Sequence, residues 1–162
     1  MDRQQIGVKL AFDGLALDFK IEGFNDRLIL QKAIYLAQAA GVKLGYYFHW
    51  YLRGPYCPAL TRDAYGIRRE LDEDMDDSQS WELDAPSSER LQKLCELFPP
   101  DRSQMARELE LLASVHFLID RQQVLSREPA ALVDTLRRYG KDFTQDEVAA
   151  ALRGLIQHGM LS

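Results

Sequence analysis

Residues 30–63 read LQKAIYLAQAAGVKLGYYFHWYLRGPYCPALTRD, and the hydrophobic period changes three times within them. The first part belongs to a helix that Asn25 or Asp26 can cap and Gly41 can stop, running to about Ala40. Leu28, Ile29, Leu30, Ala33, Ile34, Leu36, Ala37, Ala39 and Ala40 wrap nearly its whole circumference. A helix apolar on every side belongs at the centre of a domain. Gln31, Tyr35 and Gln38 fall on one stripe of that helix, with Lys32 beside it, so this stripe must meet water, a buried polar partner or a ligand. After Gly41, the run Tyr46–Leu52 is aromatic, rich in strand formers and too short for a helix, which predicts a strand. Arg53-Gly54-Pro55-Tyr56 then reads as a turn. A second helix starts at Pro58, with Leu60, Ala64, Ile67 and Leu71 on one face.

Outward from this segment the pattern is helical. Arg3 to Asp18 carries Ile6, Leu10, Leu15 and Leu17 at helical spacing, interrupted by Gly7 and Gly14. Trp81-Glu82-Leu83 is a candidate partner strand for the aromatic run. Ser87 can cap a helix bearing Leu91, Leu94 and Leu97, which Pro99-Pro100 ends. Asp101 and Gln104 resemble a capping pair opening a long helix with the stripe Met105, Leu109, Leu112, His116 and Ile119. Pro129 begins a shorter helix with Leu132, Val133 and Leu136. Thr144 with Glu147 forms a capping box, and Phe143 with Val148 a hydrophobic staple, for a last helix to about Gln157. The expected fold class is mainly α: one helical domain over residues 1–162 with a small β-ribbon.

The 162 residues are 46% hydrophobic, enough for one ordinary core that buries roughly 70% of the unfolded surface. Cys57 and Cys95 lie far apart with no CxxC and no Cys/His pairing, so neither a disulfide framework nor a zinc site is suggested. The start lacks the layout of a secretion signal, and no apolar run approaches the roughly 20 residues that span a bilayer. Cytoplasmic residence is the expectation. Net charge is −5, which argues against a protein devoted to holding phosphates. The charge is uneven: residues 1–69 hold ten bases and six acids, whereas residues 70–84 hold eight acids and no base. That acidic block reads as a solvated helix end and loop, or as a strip for a basic partner.

Residues with catalytic potential are few. His49 sits among aromatic neighbours, His116 on an apolar helix stripe and His158 at a helix end, and no two-histidine motif links them. Cys57, at a possible helix start, is the one plausible nucleophile, but no base is recognisable for it. Phosphate-cradling glycine loops and the GxSxG motif are absent, and the acidic run DEDMDD lacks the EF-hand glycine and terminal glutamate. The C-terminal helix offers Arg153 as its phosphate-binding cation and no wing follows it, so it reads as a packing helix.

The ordered motifs of residues 30–63 resemble the YwgA-like proteins and the related Panacea antitoxin domain. In those proteins an LQKLxYL helix precedes an extended segment ending in YGPYS and then a further helix. Leu30-Gln31-Lys32 with Tyr35-Leu36 matches the first part. Trp50-Tyr51 through Gly54-Pro55-Tyr56, with Pro58 and Leu60, matches the second, while Arg53 and Cys57 depart from the commoner Tyr and Ser. The resemblance covers about a fifth of the chain. It implies a compact helical domain with a small strand element and, for Panacea members, neutralisation of toxins by protein contact.

The functional expectation is a non-enzymatic interaction or regulatory module, antitoxin-like or part of a stress or phage-defence locus, needing no cofactor or metal. Gln31, Tyr35, Trp50, Arg53 and Tyr56 are the expected contact or site-shaping residues, and another protein is the expected partner. The alternatives are a nucleic-acid-binding regulator using the basic first half, and a hydrolase or nuclease built from residues that only the fold brings together.

Overall fold

The computed structural model describes residues 1–162. It contains seven helices and one two-stranded antiparallel ribbon: α1 (Arg3–Gly14), α2 (Phe24–Ala39), β1 (His49–Tyr51), β2 (Gly54–Tyr56), α3 (Pro58–Asp72), α4 (Ala85–Cys95), α5 (Arg102–Asp120), α6 (Pro129–Arg138) and α7 (Gln145–Gln157). The mainly α class with a small ribbon is as the sequence predicts. A short 3₁₀ turn, Asp77–Ser80, lies between α3 and α4.

α2 and α5 form the central pair. Residues 29–37 of α2 are all buried, as are residues 109–119 of α5, which is what helices apolar on every side require. α1, α3 and α4 cover one flank, with α1 packed on α3, α4 and α2. α7 packs on α5 and α6 on the other, and the ribbon lies against α2 and α5. One contiguous cluster of 43 buried apolar residues runs from Val8 to Leu161.

Local signals explain the helix boundaries. Thr144 and Glu147 make the predicted reciprocal capping box at α7, and Pro58 occupies the first turn of α3. Asp2 caps α1 through a box with Gln5, and Asp101 caps α5 by accepting from the Ser103 amide. Three boundaries differ from expectation. α1 ends at Gly14 instead of Asp18, and the chain leaves it through Ala16 in the left-handed region. α2 begins after Gly23, with Asp26 three residues inside reaching back to the Gly23 amide. α4 is capped by Asp84, whose carboxylate accepts from Ser87 N, because Pro86 in the first turn draws the start upstream of Ser87.

The largest correction concerns the strand. Val42, Leu44, Tyr46 and Phe48 point inward while residues 43, 45, 47 and 49 face out, so the chain is extended from residue 42, but only His49–Tyr51 is paired. Its partner is Gly54–Tyr56, which the sequence presents as a turn, and not Trp81–Leu83. Gly54 at φ +94° allows the chain to reverse over Leu52 and Arg53, bringing Tyr51 opposite Gly54 and Trp50 opposite Pro55. Pro55 has no amide hydrogen, which limits the ribbon to this short pairing.

The acidic block is largely absorbed into local structure. The Met1 amine contacts Glu70 and Asp77, Lys9 lies 3.7 Å from Asp76, and Arg68 pairs with Asp72. No helix is long and apolar enough to cross a membrane.

Candidate functional site

The hairpin β1–β2 is held from beneath by polar side chains that rise from an otherwise apolar interior. Lys32, 1% exposed, donates from Nζ to the Pro55 carbonyl at 2.7 Å. Lys141, in the loop between α6 and α7, donates to the Leu52 carbonyl at 3.0 Å. The two amines therefore grip the chain on either side of the Arg53-Gly54 tip. Gln31 clamps the exit: its amide accepts from Cys57 N and donates to Cys57 O, both at 2.8 Å, and donates again to Thr61 Oγ1. Gln38 does the same for the approach, bonding both the N–H and the carbonyl of Tyr46.

Glu110 of α5 is the one carboxylate among these buried amines, 3.6 Å from Lys141 Nζ. Burial pushes the Lys32 ammonium down to about 7, partly offset by the Glu110 charge and aggravated by Lys141. Burial lowers Lys141 as well, again against the pull of Glu110. Ser114, one helical turn from Glu110, is fully buried, and its hydroxyl has no hydrogen-bond partner within the chain. Gly54 lies directly over it: a Cβ at residue 54 would come within 2.5 Å of Ser114 Oγ. Thus Gly54 serves both the reversed backbone and the close approach to α5.

A low-pKa lysine is a frequent mark of catalysis, but structural ion networks produce the same shift. Here Nζ is sealed from solvent and committed to a backbone carbonyl, so its geometry is that of an anchor. A small polar recess of about 200 Å³ opens at Lys141, lined by Leu52, Arg53, Arg107, Glu110 and residues 140–143. Arg107 is already engaged there by Glu147 and the Asp142 carbonyl. Cys57 is buried at the N-cap of α3 and no side chain hydrogen-bonds its thiol. No group of three or more His, Cys, Asp or Glu side chains converges to hold a metal ion.

The five residues singled out in the sequence divide into two sets. Gln31 and Tyr35 never reach the surface: they shape the site from below, which corrects any expectation of them as contact residues. Tyr35 donates its hydroxyl toward His116 Nδ1 at 2.7 Å, and the other ring nitrogen of His116 meets the Met160 carbonyl at 3.2 Å. Burial raises the Tyr35 phenol and lowers the His116 imidazole, so both stay neutral and bonded near neutral pH. Trp50 is half-buried, its ring 4.9 Å from Tyr139 and 5.6 Å from Phe117, with Lys141 Nζ 5.7 Å away. It fastens the inner face of the ribbon to α5 and the end of α6.

The outer face carries the remaining two. Tyr56 packs against Tyr51 with ring centroids 5.6 Å apart, beside His49. Arg53 stands at the exposed tip with its guanidinium 5.5 Å from the ring centre of Phe24, and it has no carboxylate partner. Tyr51 is 60% and Leu52 74% exposed. Sequence reading missed Lys32 as an anchor and missed Glu110, Ser114 and Lys141 altogether. The available signal for Glu110 and Ser114 was the one that exposed Gln31, a polar residue on a helix otherwise apolar all round. No family model matches the chain, and no curated protein or solved structure matches it.

Proposed function

We propose that this chain is a non-enzymatic protein-interaction module whose contact surface is the outer face and tip of the β1–β2 hairpin. The observation that carries the reading is a pairing of opposites: the hairpin backbone is fixed by buried amines and amides, while Tyr51, Leu52, Arg53 and the neighbouring Phe24 are exposed to solvent, with Tyr56 half-buried beside them. Large aromatic and arginine side chains on a rigid scaffold lose little entropy on binding and dominate interface energetics. Arg53 gives the surface a cation free to meet a partner's carboxylate. The resemblance of residues 30–63 to the YwgA-like and Panacea segment extends the reading to an antitoxin-type role, in which contact with this face neutralises the partner. Affinity capture with the wild type and with the double variant Tyr51→Ala/Arg53→Glu tests it. The expected result is loss of specific partners by a variant with unchanged circular dichroism; retention of every partner by the folded variant overturns the reading.

A further inference from the structure

A second surface, which shares no residue with the hairpin, has the features of a slot for an extended peptide. A groove of about 1350 Å³ is bounded by α1, by residues 41–45, and by residues 81–84 with the start of α4. It exceeds the roughly 300–1,000 Å³ typical of small-molecule pockets.

Its two long lips are pieces of chain with unused backbone. The amides of Lys43, Leu44 and Gly45 make no hydrogen bond within the chain, and neither do those of Glu82, Leu83 and Asp84. Backbone donors and acceptors seek partners, and an unpaired extended segment is the natural template for a further strand. The 41–45 lip is extended because Val42 and Leu44 are anchored in the core, and it is bracketed by Gly41 and Gly45, both at positive φ. The amides of Gly41 and Val42 close the end of α2, so the free edge is Lys43–Gly45, about 10 Å long. Gln4 donates to the Leu44 and Gly45 carbonyls from α1, steadying this lip while leaving its amides free.

The lining also specifies the occupant. Ile6, Leu10, Leu44 and Leu83 supply an apolar floor, and Trp81 stands at the rim 64% exposed. Arg3, Lys43 and Arg90 line the groove without an ion-pair partner. Two acids are present, Glu82 and the Asp84 carboxylate that caps α4, so the three cations leave a surplus of one positive charge. We infer that this groove accepts an acidic, extended segment of a partner protein, added as a strand along Lys43–Gly45 with its carboxylates toward Lys43 and Arg90. Main-chain pairing supplies affinity in such additions, and alternate side chains supply specificity. The inference rests on the reading that the chain acts by protein contact, but it assigns that contact a second site.

The test is selection of a heptapeptide display library on the full chain, followed by anisotropy titration of the selected peptides. Acidic peptides are expected, with about tenfold or greater weakening by Lys43→Glu/Arg90→Glu. N-methylation of alternate peptide nitrogens should abolish binding, because methyl groups on the edge that faces the lip hold the peptide carbonyls away from the free lip amides, and Tyr51→Ala should leave binding unchanged. Failure to select any peptide on the folded chain overturns the inference, as do equal binding of N-methylated peptides, sensitivity to Tyr51→Ala in place of Lys43→Glu, and occupation of the groove by single-stranded DNA instead of peptide. Peptide binding that survives when the hairpin variant keeps all its captured partners would instead sink the hairpin reading alone.

Discussion

The side-chain nitrogen of Lys32 lies 2.7 Å from the carbonyl oxygen of Pro55, in an interior where the lysine is essentially sealed from water. An amine in that position is favoured neutral, and its folded pKa of about 7 lies below its ordinary 10.5. Between those values the unfolded chain binds more protons than the folded one, so stability rises with pH across that window. Lys141 is shifted in the same direction. Denaturant titrations from pH 7 to 10 should show stability increasing, with Lys32 alone contributing up to about 1.4 kcal/mol per pH unit. Lys32→Met should reduce that slope and leave the smaller share of Lys141; an unchanged slope would show that Lys32 is not the titrating anchor. Above pH 10 the trend should reverse, since Tyr35 and Tyr46 are held protonated in the fold and ionise first in the unfolded chain.

Gly54 is expected to tolerate no side chain. Gly54→Ala places a methyl group 2.5 Å from Ser114 Oγ on a backbone already at φ +94°. The cost should be about 1–3 kcal/mol from strain, plus overpacking. Ser114→Ala should recover the overpacking part and not the strain, so a double-mutant cycle by urea unfolding should give a favourable coupling. Simple additivity would mean that the ribbon moves away from α5.

Tyr35 and His116 are 81 positions apart and join α2 to α5 through one buried hydrogen bond. Tyr35→Phe should leave His116 Nδ1 without its partner and cost about 1–3 kcal/mol. In acid the linkage runs the other way from a salt bridge: the folded His116 pKa lies below its ordinary 6.5, so the unfolded state takes up the proton more readily and stability falls as pH drops through that value. A His116→Gln variant with native-like unfolding at pH 7 should lose less stability between pH 7 and 5 than the wild type.

Gln31→Leu removes three hydrogen bonds at once and orphans both backbone groups of Cys57. A destabilisation of about 2 kcal/mol or more is expected, with faster amide exchange at Cys57 than elsewhere in α3. Exchange that rises uniformly along the chain would contradict a local clamp.

Much of this was legible before any coordinate. The all-round apolar character of α2 placed it centrally, and the polar stripe of Gln31, Tyr35 and Gln38 announced that something specific lay opposite. What lay opposite was not legible: His116 is 81 residues away, and the Pro55, Cys57 and Tyr46 backbone groups carry no side-chain signature. The aromatic run was correctly read as extended, but its pairing partner turned on the Gly54 reversal, a local geometry that competes with the more distant Trp81–Leu83 on equal pattern evidence. Those residues instead form the far lip of the groove. Asp84 and Ser87 are both good caps, and the choice between them depended on where Pro86 fell in the first turn.

The proposed contact of the hairpin face with another protein is tested most directly by site-specific photo-crosslinking in cells. A photoreactive residue at Tyr51 should give a discrete adduct with one protein species, and Arg53→Glu should abolish it. The same residue at Leu125, which is 87% exposed on the α5–α6 loop, should give none. Identical background labelling from both positions would contradict the claim.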